Sequence, residues 1–166
     1  LPYISDLETI ALSYQANDAA TLITNSLDCH DYSEFNLDSA NVWISTNYLS
    51  SEDTLTFTTA YGISGTWNES IGTLRLTGNA SLTDYSSALQ EVYYQNSNAV
   101  PSTSTRTLSF KINDGSGFSS TVTRDITIGA TNNAPVLASI EGTTLAYTDG
   151  DPDTILTTAL AISDID

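Results

Sequence analysis

Apolar and polar residues alternate in short runs along most of this chain. Ile10, Leu12 and Tyr14 share one parity, which predicts a half-buried strand. Leu22-Ile23 to Leu27 predicts a second strand. Ala40, Val42 and Ile44 predict a third, with Trp43 on its opposite face. Leu55 and Phe57 mark a fourth. Residues 62–67, followed by Leu74 and Leu76, read as a hairpin across Asn68-Glu69-Ser70. Leu108, Phe110 and Ile112 alternate up to Asn113-Asp114-Gly115, a strong turn signal, and Val122, Ile126 and Ile128 form the return strand. Arg124 shares their parity, which predicts a strand end, an edge or a paired charge. One segment departs from period two. Leu82, Tyr85 and Leu89 stand at helical spacing behind Ser81 or Thr83 as a cap, giving about two turns that cross between sheets. Val92 and Tyr94 then resume a strand. About eight or nine strands with Gly- and Asn-rich turns predict an all-β sandwich.

The start of the chain returns near its end. Residues 1–33 align without a gap onto residues 134–166, at a constant offset of 133. Nine positions are identical: Pro2/Pro135, Glu8/Glu141, Leu12/Leu145, Tyr14/Tyr147, Asp18/Asp151, Thr21/Thr154, Thr24/Thr157, Leu27/Leu160 and Asp31/Asp164. Chance would give about two. Apolar positions track each other too, as in Leu7/Ile140 and Leu22/Ile155. The expected organisation is one complete sandwich over 1–133 and the N-terminal strands of a second repeat over 134–166. Two strands alone are marginal in water. The segment 134–166 is therefore expected to lean on the first repeat, on further residues or on a neighbouring molecule.

Charge narrows the partners. Twenty acidic residues face four basic ones, a net charge of -16, yet only 14% of residues are charged. The polar surface must be mostly Ser, Thr and Asn. With one lysine, Lys111, no basic stripe exists to neutralise phosphates, which argues against nucleic acid and against contact with an anionic membrane. Sparse acid of one sign suits either plain solubility or cation binding. Cys29 is the only cysteine, so no internal disulfide is expected. Methionine is absent even at position 1, which reads as a fragment of a longer or processed chain. No signal peptide and no apolar run of transmembrane length is present. Two N-x-[ST] sequons, at Asn68 and Asn79, lie in stretches that read as turns and mark a candidate glycoprotein.

Three strings carry a family likeness. Tyr85-Ser86-Ser87-Ala88-Leu89 leads to Val92-Tyr93-Tyr94-Gln95-Asn96; Arg106-Thr107-Leu108-Ser109-Phe110 leads to Asn113-Asp114-Gly115; and Asn132-Asn133-Ala134-Pro135-Val136 forms the boundary. Together they resemble the cadherin-like tandem repeats of large extracellular adhesins and surface filament proteins, over nearly the whole chain. The resemblance implies a cadherin/immunoglobulin-like Greek-key β-sandwich. It also implies Ca2+ between successive repeats, held by Asp18 with its neighbour Asn17, by Asn132 and Asn133, and by Asp164 and Asp166. The oxygen donors suit that ion. The chain departs from the family pattern at Ala16, at Asn133 and at Asp31-Tyr32-Ser33, each costing a carboxylate. The alternative use of Asn132, Asn133 and Asp164 is turn hydrogen bonding.

Other constellations point to little chemistry. Asp28-Cys29-His30-Asp31 brings together nucleophile and metal-ligand types, but Cys29 aligns with Ile162 and reads as a small core residue. Trp43 or Tyr93-Tyr94 could form a sugar platform, with a core role favoured. No catalytic residue is expected. The expected function is a non-enzymatic, extracellular cell-surface adhesion or shaft module with Ca2+-rigidified linkers. Its partners would be neighbouring repeats, with surface glycans as a further class. The alternatives are a filament subunit whose residues 134–166 pair with a neighbouring identical molecule, and a carbohydrate-binding module.

Overall fold

The computed structural model describes residues 1–130, 132 and 134–164. The chain divides into two compact units, Leu1–Thr131 and Asn132–Asp166.

The first unit is an all-β sandwich. Its larger sheet has six strands: β2 (Leu12–Gln15), β5 (Asn36–Thr46), β7 (Ser64–Asn68), β8 (Thr73–Ser81), β10 (Arg106–Asn113) and β11 (Val122–Gly129). They run in the order β2-β11-β10-β5-β8-β7, and β2 pairs parallel to β11 while all other neighbours are antiparallel. A second sheet joins β3 (Thr21–Leu22), β9 (Tyr93–Asn96) and β6 (Asp53–Thr56). A small hairpin-like pair, β1 (Tyr3–Ser5) with β4 (Asp28–His30), completes the set.

Parity decides which face of each strand meets the core. Ala40, Val42 and Ile44 of β5, Leu74 and Leu76 of β8, and Leu108, Phe110 and Ile112 of β10 are all buried. They join one cluster with Leu55, Tyr94, Ile23, Leu27 and Ile4. Each fully buried aliphatic side chain contributes about 1.5–3 kcal/mol. The one helix among the described residues, α1 (Leu82–Gln90), buries Tyr85, Ala88 and Leu89 in the same cluster. It starts where predicted: Ser81 Oγ accepts the Asp84 N–H at 3.1 Å. Its Ser86 hydroxyl accepts the Cys29 N–H at 2.9 Å and donates to the Asp28 carboxylate at 2.7 Å, tying α1 to β4.

The turn between β10 and β11 follows from its residues. Asn113 Oδ1 accepts the Gly115 N–H at 2.7 Å, and Asp114 Oδ1 accepts the N–H groups of Ser116 and Gly117 at 2.8 Å. Gly115 has φ +89°, and a Cβ there would stand 2.6 Å from Asp38 Oδ2.

Two expected strands are shorter than their patterns. Ile10 is 79% exposed, and β2 begins only at Leu12. The expected strand from Leu22 to Leu27 stops at Leu22, because the Glu8 carboxylate captures the Thr24 hydroxyl and the Asn25 N–H and turns the chain. Arg124, placed at inward parity, is a paired charge: Nη1 lies 3.3 Å from Glu8 Oε2, and the guanidinium donates to the carbonyls of Ile10 and Ile23.

Among its described residues the second unit contains one antiparallel pair, β12 (Val136–Ala138) with β13 (Ala161–Ser163). No helix among the described residues is long and apolar enough to cross a membrane.

Candidate functional site

One strand pairing and several turn bonds of the repeated segment recur within each unit. β1 meets β4 as Tyr3 to His30, Ile4 to Cys29 and Ser5 to Asp28. β12 meets β13 as Val136 to Ser163, Leu137 to Ile162 and Ala138 to Ala161, the same register displaced by the offset. Tyr14 Oη donates to the Asp18 carbonyl at 2.7 Å, and Tyr147 Oη to the Asp151 carbonyl at 3.1 Å. Asp18 Oδ2 accepts the Gln15 N–H at 2.9 Å, and Asp151 Oδ2 the Thr148 N–H at 2.8 Å. Positive φ falls on equivalent residues: Asp6 and Ser139 at 56° and 60°, Asn17 and Gly150 at 67° and 94°. Asn and Gly both tolerate the left-handed region, so the turn after β2 survives their exchange at positions 17 and 150.

Glu8 and Glu141 do the same work in the two units. Glu8 accepts from the Thr24 hydroxyl at 2.7 Å and the Asn25 N–H at 2.8 Å; Glu141 accepts from the Thr157 hydroxyl at 2.5 Å and the Thr158 N–H at 2.7 Å. Burial raises the pKa of Glu8, but Thr24, Asn25 and the nearby Arg124 outweigh it and hold the group below the ordinary value. In Glu141 the Thr157 hydroxyl leads, followed by the Thr158 N–H, and the pKa falls to about 2.

The apolar positions of the repeat fare differently. Tyr14, Ile23 and Leu27 are fully buried, whereas Tyr147, Leu156 and Leu160 are 61%, 83% and 43% exposed.

The residues implied in Ca2+ binding are placed as follows. Asp18 belongs to the first unit, where its carboxylate closes the turn after β2. Asn132 and Asp164 are exposed residues of the second unit. Asn133 and Asp166 lie outside the described residues. Among the described residues no three His, Cys, Asp or Glu side chains converge on one point. Asn17 carries a positive φ in the same turn as Asp18.

Of the two sequons, Asn68 ends β7 and opens a turn, as its sequence suggests; its Oδ1 accepts from the N–H and hydroxyl of Ser70 at 3.1 and 2.7 Å. Asn79 does not lie in a turn. It sits within β8, where its amide donates to Asp38 at 2.8 Å and accepts from Asn36 at 2.8 Å.

The Asp-Cys-His-Asp run separates by depth. Cys29 is buried in the core with its thiol pushed up to about 12, chiefly by burial, against an opposing contact from Ser86 and with a lesser upward push from Asp28. A thiol so far from ionisation is a poor nucleophile at neutral pH. His30 stacks on Tyr3 with ring centres 4.8 Å apart, and its Nε2 lies 2.9 Å from Ser5 Oγ and 3.5 Å from Asp28 Oδ2. Trp43 is half-buried on the outer face of the large sheet, with Lys111 Nζ 5.7 Å from its ring centre. Tyr94 belongs to the core, while Tyr93 is 38% exposed.

A buried polar cluster was not anticipated. Arg106 donates to Asp53 at 3.2 Å, to Glu52 at 2.9 Å, and to the carbonyls of Ser102 and Ser104 at 2.8 and 2.7 Å. Asn96 donates to Asp53 at 3.1 Å, and Tyr94 Oη donates to the same carboxylate oxygen at 2.6 Å. Burial raises the Tyr94 pKa strongly, and the bond to Asp53 adds to it, so the phenol stays protonated. The network clamps the ends of β6, β9 and β10 and the loop before β10. Its signal was in the sequence: Arg106 shares parity with Leu108 and Phe110, Asp53 with Leu55, and Asn96 with Tyr94. No family model matches this chain, and neither a curated protein nor a solved structure matches it.

Proposed function

We propose that this chain is a non-enzymatic shaft or adhesion segment of an extracellular surface protein, built from cadherin-like sandwich repeats joined end to end. One observation carries the reading: residues 134–164 rebuild the β1–β4 register, the positive-φ turns and the Glu-Thr and Tyr-Asp bonds of residues 1–31 at a constant offset. Chains of similar modules serve reach and attachment, since each module contacts only its neighbours. The exposed Tyr147, Leu156 and Leu160 fit this view. In the first unit the equivalent side chains are covered by elements that follow in sequence, such as Tyr94, whose ring meets Tyr14 edge-on at 5.1 Å. Oxygen donors of the kind the family likeness implies for Ca2+, among them Asp18, Asn132 and Asp164, are of the type a hard cation takes, and such an ion would stiffen a linker.

The same exposed face favours a second reading. A neighbouring identical molecule would cover it, making the chain a filament subunit.

A single chimera separates these possibilities. Residues 34–131 are repeated after Asp166, supplying the cover in cis. The tandem-repeat reading expects the total calorimetric unfolding enthalpy to rise to nearly twice that of the parent chain, with a monomer by light scattering. An unchanged total enthalpy would reject it. Polymers of the parent chain that grow with concentration, and vanish in residues 1–131 alone, would favour the filament. Melting of the chimera with Ca2+ and with chelator then reads the cation: a rise with Ca2+ is expected.

A further inference from the structure

The four basic residues of the chain are used in three ways. Arg106 is buried against Asp53 and Glu52, and Arg124 is held by Glu8. Lys111 lays its ammonium on aromatic faces, 4.2 Å from the Phe118 ring centre and 5.7 Å from that of Trp43. Arg75 is exposed, and among the described residues it has neither an ion pair nor a ring contact. Its neighbours Leu74 and Leu76 point into the core, so Arg75 stands on the outer face of the six-stranded sheet.

There it occupies a groove of about 430 Å³, within the ~300–1,000 Å³ range of small-molecule sites. Register places Asn41 of β5 on one side of Arg75 and Thr66 of β7 on the other. Thr73 and Thr77 precede and follow it along β8, and Ile71 and Asn68 line the groove as well. No carboxylate lines it, in a chain with 20 acidic residues.

The lining selects a ligand class. β8 lies between β5 and β7, so its backbone groups are committed to the two ladders, and recognition falls to side chains. A peptide adding to the edge strand β7 would lie in the plane of the sheet, beside this face and not on it. One guanidinium matches one carboxylate in a two-pronged fork. It is too little for a phosphate-rich polymer, which the net charge of -16 would also repel. Hydroxyls and amides at strand spacing of about 4.8 Å suit a polyhydroxylated ring, and Ile71 offers an apolar contact for its C–H face.

We propose that this groove binds a carboxylated sugar, a uronate or sialate residue, with its carboxylate on Arg75 and its hydroxyls on Asn41, Thr66 and Thr73. The site lies wholly within the first unit and is independent of the tandem-repeat reading.

The test uses the full chain from a non-glycosylating host, because a glycan on Asn68 would stand in the groove. The 15N-labelled protein is titrated with sialyllactose, trigalacturonate and neutral lactose. An acidic sugar is expected to shift the amides of Thr66, Thr73 and Thr77, and lactose is not. Arg75→Gln is expected to weaken binding about tenfold or more, the loss of one charged fork. Thr123→Ala, elsewhere on the same sheet, should bind unchanged. Circular dichroism and melting confirm that Arg75→Gln is folded, as its exposed position leads one to expect. Silence from both acidic sugars, equal binding of lactose, or undiminished binding by folded Arg75→Gln would overturn the proposal.

Discussion

Arg106 meets Asp53 at 3.2 Å with both side chains withdrawn from solvent. Removing one member of a buried pair leaves the other charged and unsatisfied, at a cost of about 3–5 kcal/mol. Arg106→Met is therefore expected to lose about that much stability in urea denaturation. Arg106→Lys keeps the charge but cannot span Glu52, Asp53 and the carbonyls of Ser102 and Ser104 together. It should also lose more than about 1.5 kcal/mol, the worth of a charged hydrogen bond. A loss under about 1 kcal/mol for both variants would mean that the cluster is dispensable to the fold.

Several carboxylates of the first unit have lowered pKa values and contribute to its acid limit, Glu52 and Glu8 among them. For Glu52, burial raises the pKa, but Asn98, Asn96, the Ser102 N–H and Arg106 together bring it below the ordinary value. Glu8 is lowered in the same direction. A depressed folded pKa gives stability that is fully present above the unfolded value of about 4.3 and lost as pH falls through the folded one. Thermal scans should show a nearly flat Tm from pH 7 to about 5 and a fall beneath about 4.3. In Glu8→Gln the fall should be shallower, because one linked proton is gone. An acid limb as steep in Glu8→Gln as in the parent would remove Glu8 from the explanation.

How much of this was legible beforehand differs from element to element. Alternation found β5, β8, β10 and β11 because each buries one whole face, and Ser81 found the start of α1 because a cap is a local device. Alternation misjudged Ile10 and the run from Leu22 to Leu27, since Glu8 bends the chain at Thr24 through a contact 16 residues distant. Parity would have revealed Arg106 as inward-facing, but its acceptors Glu52 and Asp53 lie more than 50 residues away. The groove around Arg75 depends on β5 and β7 flanking β8, a strand order that residue spacing alone does not specify.

Cys29 provides a probe of native opening. Its thiol is buried in the core and held up near 12. Labelling by a thiol reagent at pH 8 should follow the opening of the fold and proceed far more slowly than in urea. Arg106→Met, being less stable, should label faster than the parent under the same native conditions. Rapid labelling of the parent without denaturant would place Cys29 at the surface.

Glu141 tests whether the second unit holds its structure in solution. An unstructured glutamate titrates near about 4.3. Here the Thr157 hydroxyl, the Thr158 N–H and the Glu141 backbone donate to the ionised form, and the pKa drops to about 2. The group is exposed, so burial opposes those donors only as a minor cause; in Glu8 the burial that comes with a completed core is the largest single cause and works against a similar set. A carboxyl-detected NMR titration should therefore find Glu141 ionised well below the ordinary range. Thr157→Val, which deletes the leading donor, should move its midpoint up toward the unstructured value while leaving Glu8 unmoved. A midpoint at the unstructured value in the parent chain would mean that the Glu-Thr bond of the repeat forms only where the rest of a sandwich surrounds it.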